Sequence, residues 1–324
     1  MTTKDNLLLY LKKNKNSWIS GEYLSQELLV SRAAVNKHIR KLRDHGYQIS
    51  SSTKKGYCFY GVKDIFIAAE IQEDLDTRIF GKQEIIYFDE VDSTNAQARL
   101  MAAQGAPEGT LVLAEKQISG KGRKGRTWFS PPGYGIYASL ILRPAMPPSD
   151  VPGITLITAI AAAESLSALT KLPVKIKWPN DILVNKNKLA GILTEISTDM
   201  DAVDYIIVGI GLNVNTPSEA FPEHVKSIAT SVFAESGMTL SRVKLLRAFL
   251  RQYEACYIQF KREGFAGLRR RWKNMTDIIG KNVTIEEIDT TRAGRVVDVD
   301  NDGTLVLRDD TGRMHRIFSG DVIL

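Results

Sequence analysis

Between Gly120 and Arg126 the chain reads Gly-Lys-Gly-Arg-Lys-Gly-Arg, and Thr127 and Trp128 follow at once. Three glycines alternate with four cations. Glycine lets the backbone bend sharply and come close to a ligand. Lysine and arginine supply positive charge and donors for phosphate oxygens. The segment therefore suits a clamp on a phosphate-bearing ligand. A solvated basic loop or a nonspecific nucleic-acid contact has the same composition. Gly120, Gly125, Arg126 and Thr127 also fall on the spacing of a P-loop. A P-loop must open a helix so that helix amides meet the phosphates. The prolines and glycine of Trp128-Phe129-Ser130-Pro131-Pro132-Gly133 forbid a helix there, which excludes that reading.

Four further segments carry side chains fit for ligand chemistry. Asp92-Ser93-Thr94-Asn95 stands where a strand pattern gives way to a helix pattern, and Ser93 or Asp92 is placed to cap that helix. Gln117 ends the strand that leads into the glycine loop. Lys177-Trp178-Pro179-Asn180-Asp181 precedes Lys188-Leu189-Ala190-Gly191-Ile192-Leu193, and Gly209-Ile210-Gly211-Leu212-Asn213-Val214-Asn215 comes last. Trp178 reads as core, while Ser93 as a cap and Asn213 as a turn residue are the plain alternatives to ligand contacts.

These segments need elements to hold them. Strand-like runs are 85–88, 110–114, 136–142, 174–177, 182–184, 189–196 and 205–210, and helical patterns cover 95–103, 156–169 and 241–261. Strands outnumber helices and several are sequential. The pattern favours a mixed or mostly antiparallel sheet with helices on one face over a doubly wound fold. From Lys281 onward the chain has short β runs separated by Asp/Asn/Gly turns, which suggests a small appended β-barrel. The run Arg269-Arg270-Arg271-Trp272-Lys273 before it reads as a solvated helix face.

The N-terminal residues form a different kind of module. Residues 1–63 hold twelve Lys/Arg against four Asp/Glu, whereas the remainder is nearly neutral. Leu7, Leu8 and Leu11 mark a first helix with Trp18 and Ile19 at its exit, and Glu22 to Leu29 mark a second with Leu24 and Leu28 inward. Ser31 is placed to cap a third helix, in which Val35, Ile39 and Leu42 form one buried stripe. Ala33, Asn36, Lys37 and Arg40 share another face, suited to a major groove. Tyr47–Ile49 and Tyr57–Tyr60 read as a hairpin with a basic tip at Lys54 and Lys55. The whole is a winged helix-turn-helix pattern. Ser31, Arg32, Ala33, Asn36, Lys37, Arg40, Lys54 and Lys55 are its expected DNA contacts. A helical protein-interaction domain with a basic face is the alternative.

The 324 residues are 44% hydrophobic and 25% charged, as in soluble globular chains. The longest apolar run, Ile154–Ala163, is too short to span a bilayer, and the N-terminus lacks the apolar core of a signal peptide. Cys58 and Cys256 are distant in sequence and make no disulfide framework. His38, His45, His224 and His315 show no metal-ligand spacing and none is close to the segments above, so no protein metal site is expected. The expected compartment is the cytoplasm, without membrane attachment.

Taken in order, the glycine loop, KWPND, KLAGIL and GIGLNVN resemble biotin–protein ligases. With the N-terminal module, the whole chain resembles the bacterial class that is both biotin ligase and biotin-operon repressor. The resemblance implies an α+β multidomain chain: a winged helix-turn-helix over 1–63, a mixed-sheet α/β ligase domain over 64–277, and an SH3-like β-barrel over 278–324. It implies ATP-dependent formation of biotinyl-5′-AMP, with Mg2+ accompanying the ATP, and transfer of biotin to a lysine of the biotin carboxyl carrier protein. It also implies operator DNA as a partner, and a homodimer when the adenylate is bound.

By the same resemblance, Ser93, Thr94, Asn95 and Gln117 line the biotin pocket, and Lys121, Gly122 and Arg123 close over it. Lys188 reaches the carboxylate and then the acyl phosphate, Arg123 and Lys188 being the catalytic pair. Trp128 stacks on adenine, Asn180 and Asn213 bind the nucleotide side, and Asp181 pairs with or orients Arg123. The chain departs from the family at Lys121 and Lys124, where arginine is commonest. Lysine offers a point charge without the planar fork. Lipoate–protein ligase and a ligand-sensing repressor without ligase activity are the rival readings.

Overall fold

A computed structural model of the chain describes residues 2–199, 202–287 and 289–323. It divides into two compact units, one ending at Ile67 and one beginning at Ala68.

In the first unit α1 (Thr3–Lys13) opens with a capping box, in which Thr2 Oγ1 accepts from Asp5 N and the Asp5 carboxylate accepts from Thr2 N. β1 (Trp18–Ile19), α2 (Gly21–Glu27) and α3 (Arg32–Asp44) follow, and Ser31 caps α3 by accepting from Ala34 N at 3.1 Å. β2 (Tyr47–Ser52) and β3 (Gly56–Val62) form the hairpin. Trp18 and Ile19 are more than a helix exit, because they pair with Cys58 and Tyr57 and complete a three-stranded sheet in the order β1-β3-β2. Leu7, Leu11, Leu24, Val35, Ile39 and Leu42 meet in one buried core. Each such side chain contributes about 1.5–3 kcal/mol by leaving water.

The second unit begins with α4 (Ala68–Gln72) and builds on β4 (Ile85–Val91), α5 (Thr94–Ala103), β5 (Leu111–Gln117) and β6 (Gly135–Leu142). Next come α6 (Val151–Thr170), β7 (Val174–Lys177), β8 (Asp181–Val184), β9 (Asn187–Asp199) and β10 (Ala202–Asn213). The seven strands lie in the order β4-β5-β6-β10-β9-β8-β7. Only β4 and β5 are parallel, and α5 is the crossover between them.

Helices cover both faces of this sheet, contrary to the one-face expectation. Ala98 and Ala102 of α5 pack on Val112, Ile141 and Ile207. α6 meets β7, β8 and β9, and Thr155 Oγ1 lies 2.8 Å from Thr194 Oγ1. Thr194 pairs with Val208, one residue from Ile207 and so on the opposite face. Periodicity reveals the apolar side of a helix but not which side of a sheet it will meet. α6 is apolar all round because it is the core helix, buried between the sheet and α9. Together with the preceding turn it is, among the described residues, the one helix long and apolar enough to cross a membrane, but 72% of its most apolar window is buried in the unit.

α7 (Glu223–Lys226), α8 (Val232–Ser236), α9 (Arg242–Glu263) and α10 (Arg269–Asn274) follow the large sheet. α10 is not a solvated face. Trp272 is fully buried, Arg271 bonds Glu164, and Arg269 and Lys273 both pair with Asp298; Arg270 alone of the run is exposed. A run of cations in sequence does not disclose the carboxylates that fold against it.

The C-terminal strands are β11 (Asn282–Glu286), β12 (Thr291–Val299), β13 (Leu305–Arg308), β14 (Met314–Ile317) and β15 (Asp321–Ile323). They form an antiparallel sheet in the order β14-β13-β12-β11-β15. β14 and β15 end the order without pairing to each other, so among the described residues no closed barrel forms. Short strands and turns in a sequence specify hairpins, whereas closure depends on register between the first and last strand. Trp178, 2% exposed, ties this sheet to the body built on the seven-stranded sheet by donating from Nε1 to Gly303 O at 3.2 Å. Both cysteines are free and buried, and burial pushes the Cys256 thiol up to about 11.

Candidate active site

One cleft of about 1160 Å³ opens on the α5 face of the sheet. Its size exceeds that of an ordinary small-ligand pocket and leaves room for two ligands side by side. Ser93, Thr94, Asn95, Gln117, Lys121, Gly122, Arg123, Trp128, Asn180, Lys188 and Asn213 all line it. These residues come from six separate stretches of chain, which the sheet order brings together.

At one end lies a buried polar chain. Asn95 Nδ2 donates to Glu195 Oε2 at 2.7 Å and to Leu193 O at 3.2 Å. That leaves Asn95 Oδ1 as acceptor for Ser139 Oγ at 2.6 Å. Gln117 Oε1 accepts from Thr94 N at 2.9 Å and from Thr94 Oγ1 at 3.2 Å, and Gln117 Nε2 donates to Ser130 Oγ at 2.9 Å. Each amide is thus fixed in orientation by partners that can only donate or only accept. Ser93 is 2% exposed and stands at the N-cap position of α5 without making a side-chain cap bond. Asp92 instead accepts from Ser93 N and Gln97 Nε2, and these bonds hold its carboxyl below the usual range against the effect of burial.

The glycines of KLAGIL and GIGLNVN act through close approach. A Cβ at Gly209 would stand 2.1 Å from Asn95 Oδ1. One at Gly211 would stand 2.4 Å from the Trp128 indole, and one at Gly191 would stand 3.0 Å from the same ring. The indole therefore lies directly on bare backbone of β9 and β10. Trp128 Nε1 is buried and has no hydrogen-bond partner. Lys188 Nζ sits 5.5 Å from the ring centroid and 2.7 Å from Asp181 Oδ1.

Asp181 thus partners Lys188 and not Arg123, contrary to expectation. Arg123 Nη1 donates to Asn180 Oδ1 at 3.0 Å, and Asn180 Nδ2 donates to Ile192 O at 3.0 Å. β8 and β9 are paired neighbours, which places Asp181 beside the strand that carries Lys188. Asn213 lines the cleft, yet its Nδ2 donates to Thr230 O at 3.0 Å, so its amide also has the turn-holding job of the plain alternative.

His224 and Asp321 are among the cleft residues that the motifs did not include. His224 lines the cleft although it lies outside every motif. Asp321, on β15, faces the glycine loop: Arg123 lies 3.8 Å and Lys124 3.4 Å from its carboxylate, and Arg126 pairs with it directly. No sequence signal could link positions so far apart. Glu195 and Ser139 carried a weak signal, as polar residues facing α5 from apolar strands. Among the described residues no group of three or more His, Cys, Asp or Glu is gathered to hold a metal ion.

The expected DNA contacts have simpler surroundings. Ser31, Arg32, Ala33, Asn36, Lys37, Arg40, Lys54 and Lys55 are all exposed. Arg40 Nε donates to Asn36 Oδ1, and Asn36 Nδ2 to Tyr57 OH, both at 3.2 Å, joining α3 to the hairpin.

Known proteins resemble the chain along its whole length. Residues 3–58 match the helix-turn-helix domain family, 87–213 the biotin/lipoate A/B protein ligase family, and 278–324 the biotin protein ligase C-terminal domain. The chain is 38% identical to the bifunctional ligase/repressor BirA of Bacillus spizizenii, over 100% of this chain and 99% of that one. It is 33% identical to the Escherichia coli protein of the same name, over 90% of this chain and 88% of that one. The solved biotin protein ligase of Aquifex aeolicus in complex with biotin and ATP superposes with a TM-score of 0.64 at 28% identity, covering 74% of this chain and 97% of that one. With a cleft of this make-up and a relative matched from end to end, the chain belongs to the bifunctional ligase/repressors of the biotin protein ligase family.

Proposed function

We propose that the chain activates biotin with ATP and passes it to a lysine of a biotin carboxyl carrier protein, and that the same adenylate controls its hold on operator DNA. The observation that carries this reading is the convergence of the basic glycine loop, the Trp128 platform and the Lys188–Asp181 pair on one cleft. In the first step an oxygen of the biotin carboxylate attacks the α-phosphorus of ATP, and the bond to pyrophosphate breaks. In the second the carrier lysine attacks the acyl carbon, AMP leaves with the bonding electrons, and the amine loses a proton.

Arg123 and Lys188 offset the charge of two anions that must meet and stabilise what develops at phosphorus. Positioning supplies much of the remainder, and no protein nucleophile is required. Thr94, Asn95 and Gln117, with Ser93, present the donors and acceptors that a ureido ring needs. A lipoyl ring has no such groups and would gain no hydrogen bond from that wall. Lys121 and Gly122 close the biotin side, Trp128 offers a face to adenine, and Asn180 and Asn213 border the nucleotide. Mg2+ arrives on the phosphates of ATP, since that ion is commonly held by substrate oxygens with few protein ligands.

We place the working boundaries at 1–63, 64–277 and 278–324, and the protein in the cytoplasm. Ser31, Arg32, Ala33, Asn36, Lys37 and Arg40 enter the groove, with Lys54 and Lys55 on phosphates. A homodimer formed on adenylate binding supplies the second half-site. Incubation with biotin, Mg-ATP and carrier protein, followed by a streptavidin blot, tests the ligase. Labelled carrier that depends on ATP is expected, and none would overturn the reading. Sedimentation and operator titration with and without biotin plus ATP test the repressor; identical behaviour in both would overturn the corepressor role.

A further inference from the structure

We propose that Asp321 is a positioning residue of the active site, through which the C-terminal sheet latches the basic glycine loop over the cleft. Its consequence for catalysis rests on the ligase reading; its geometry does not. Residues 121–127 include no buried side chain, so packing does not hold this loop. Lys124 and Gly125 both have positive φ, 53° and 73°, which turns the chain at the loop tip. Within the loop Gly122 N donates to Arg126 O at 2.7 Å and Arg126 N to Arg123 O at 3.2 Å.

Among the described residues, the other side-chain hydrogen bonds and ion pairs of Arg123, Lys124 and Arg126 reach Asn180 or the C-terminal sheet. Arg123 Nη1 donates to Gly320 O at 3.3 Å, Lys124 Nζ donates to Glu286 O at 3.0 Å, and Arg123, Lys124 and Arg126 surround the Asp321 carboxylate. Asp321 and Glu286 are register partners of β15 and β11, so one rung of that sheet supplies both anchors. Three like charges on so short a loop repel one another, and a single carboxylate offsets all three. Burial pushes the Asp321 carboxyl up, but the charges of Arg126, Lys124 and Arg123 prevail and hold it below its ordinary range, so it is ionised at neutral pH.

The latch does not consume the ligand-binding capacity of Arg123. Its Nη1 is engaged by Asn180 and Gly320, while among the described residues Nε and Nη2 make no protein hydrogen bond. The rest of the fork is left for ligand oxygens. Asp321 and an anionic ligand can then hold the loop from two sides, and loss of the latch lets the loop open and the reactive adenylate escape.

The test compares Asp321→Asn and Asp321→Glu with the full wild-type chain. Three quantities are read: trypsin nicking in the loop without ligand, release of biotinyl-5′-AMP, and kcat against KM for ATP. Asp321→Asn is expected to speed nicking and release on the order of tenfold, as befits a lost charge-assisted contact. It should raise the KM for ATP more than it lowers kcat, with an unchanged thermal midpoint, and Asp321→Glu should recover most of the difference. Wild-type nicking and release rates in folded Asp321→Asn would overturn the latch. A wild-type chain that makes no adenylate would overturn the ligase reading instead, and nicking alone would then decide the latch.

Discussion

Arg32, Lys37, Arg40, Lys54 and Lys55 stand in solvent, and among the described residues only Arg32 of these has a carboxylate partner, Glu22 at 3.7 Å. Arg123, Lys124, Arg126 and Lys188 each lie within 3.8 Å of a carboxylate, and two residues, Asp321 and Asp181, supply all of them. The two regions use the same side chains under opposite conditions. Exposed cations meet a polyanion by releasing its counterions, which gives affinity that falls with salt. Cations fixed by carboxylates in a cleft are already oriented and reorganise little when a ligand's charge develops. The first arrangement suits a long phosphate backbone, the second a reaction at one phosphorus.

Removing one region should leave the other at work. Deleting residues 1–63 is expected to abolish operator binding while ligase activity persists; a soluble truncation with no biotin transfer would show that the two are inseparable. Lys188→Ala removes one contact to a developing anion, which typically costs about 2.7–4 kcal/mol, or a hundredfold to a thousandfold in adenylation. Single-turnover adenylate formation measures this, and an unchanged rate would make Lys188 a surface lysine. Gly211→Ala drives a methyl into the Trp128 ring. Overpacking of this kind costs about 1–3 kcal/mol, so the KM for ATP should rise roughly tenfold with biotin affinity less affected. Equal effects on both ligands would remove Trp128 from the nucleotide side. The smallest effect belongs to Lys55→Ala, whose operator affinity should drop modestly and whose log–log salt slope should lose about one unit. An unchanged slope would place Lys55 off the phosphates.

What the sequence disclosed follows from how far apart the interacting residues are. Val35, Ile39 and Leu42 were readable because a helix repeats its buried face every few residues, and Ser31 because a cap acts on the next turn. The cleft residues were readable through the order of four motifs that resemble a family, and all eleven expected ligand contacts do line one cleft. Partnerships between motifs were not. Asp181 joins Lys188 because β8 and β9 pair, and Asp321 joins the glycine loop across nearly two hundred residues. Arg269–Lys273 was misread for the same reason: Glu164 and Asp298 come from other elements. The open C-terminal sheet and the helices on both sheet faces depend likewise on register and packing, to which local pattern is blind.

One measurement bears on the division of labour between these two basic regions before any other. Purified full-length protein is mixed with ATP and Mg2+, and pyrophosphate release in the first turnover is followed with biotin, with lipoate, and with neither. Release of about one equivalent with biotin alone, retained as bound adenylate until carrier protein is added, is the expected result. Release that ignores biotin, or that lipoate supports equally, would contradict the assignment of the cleft.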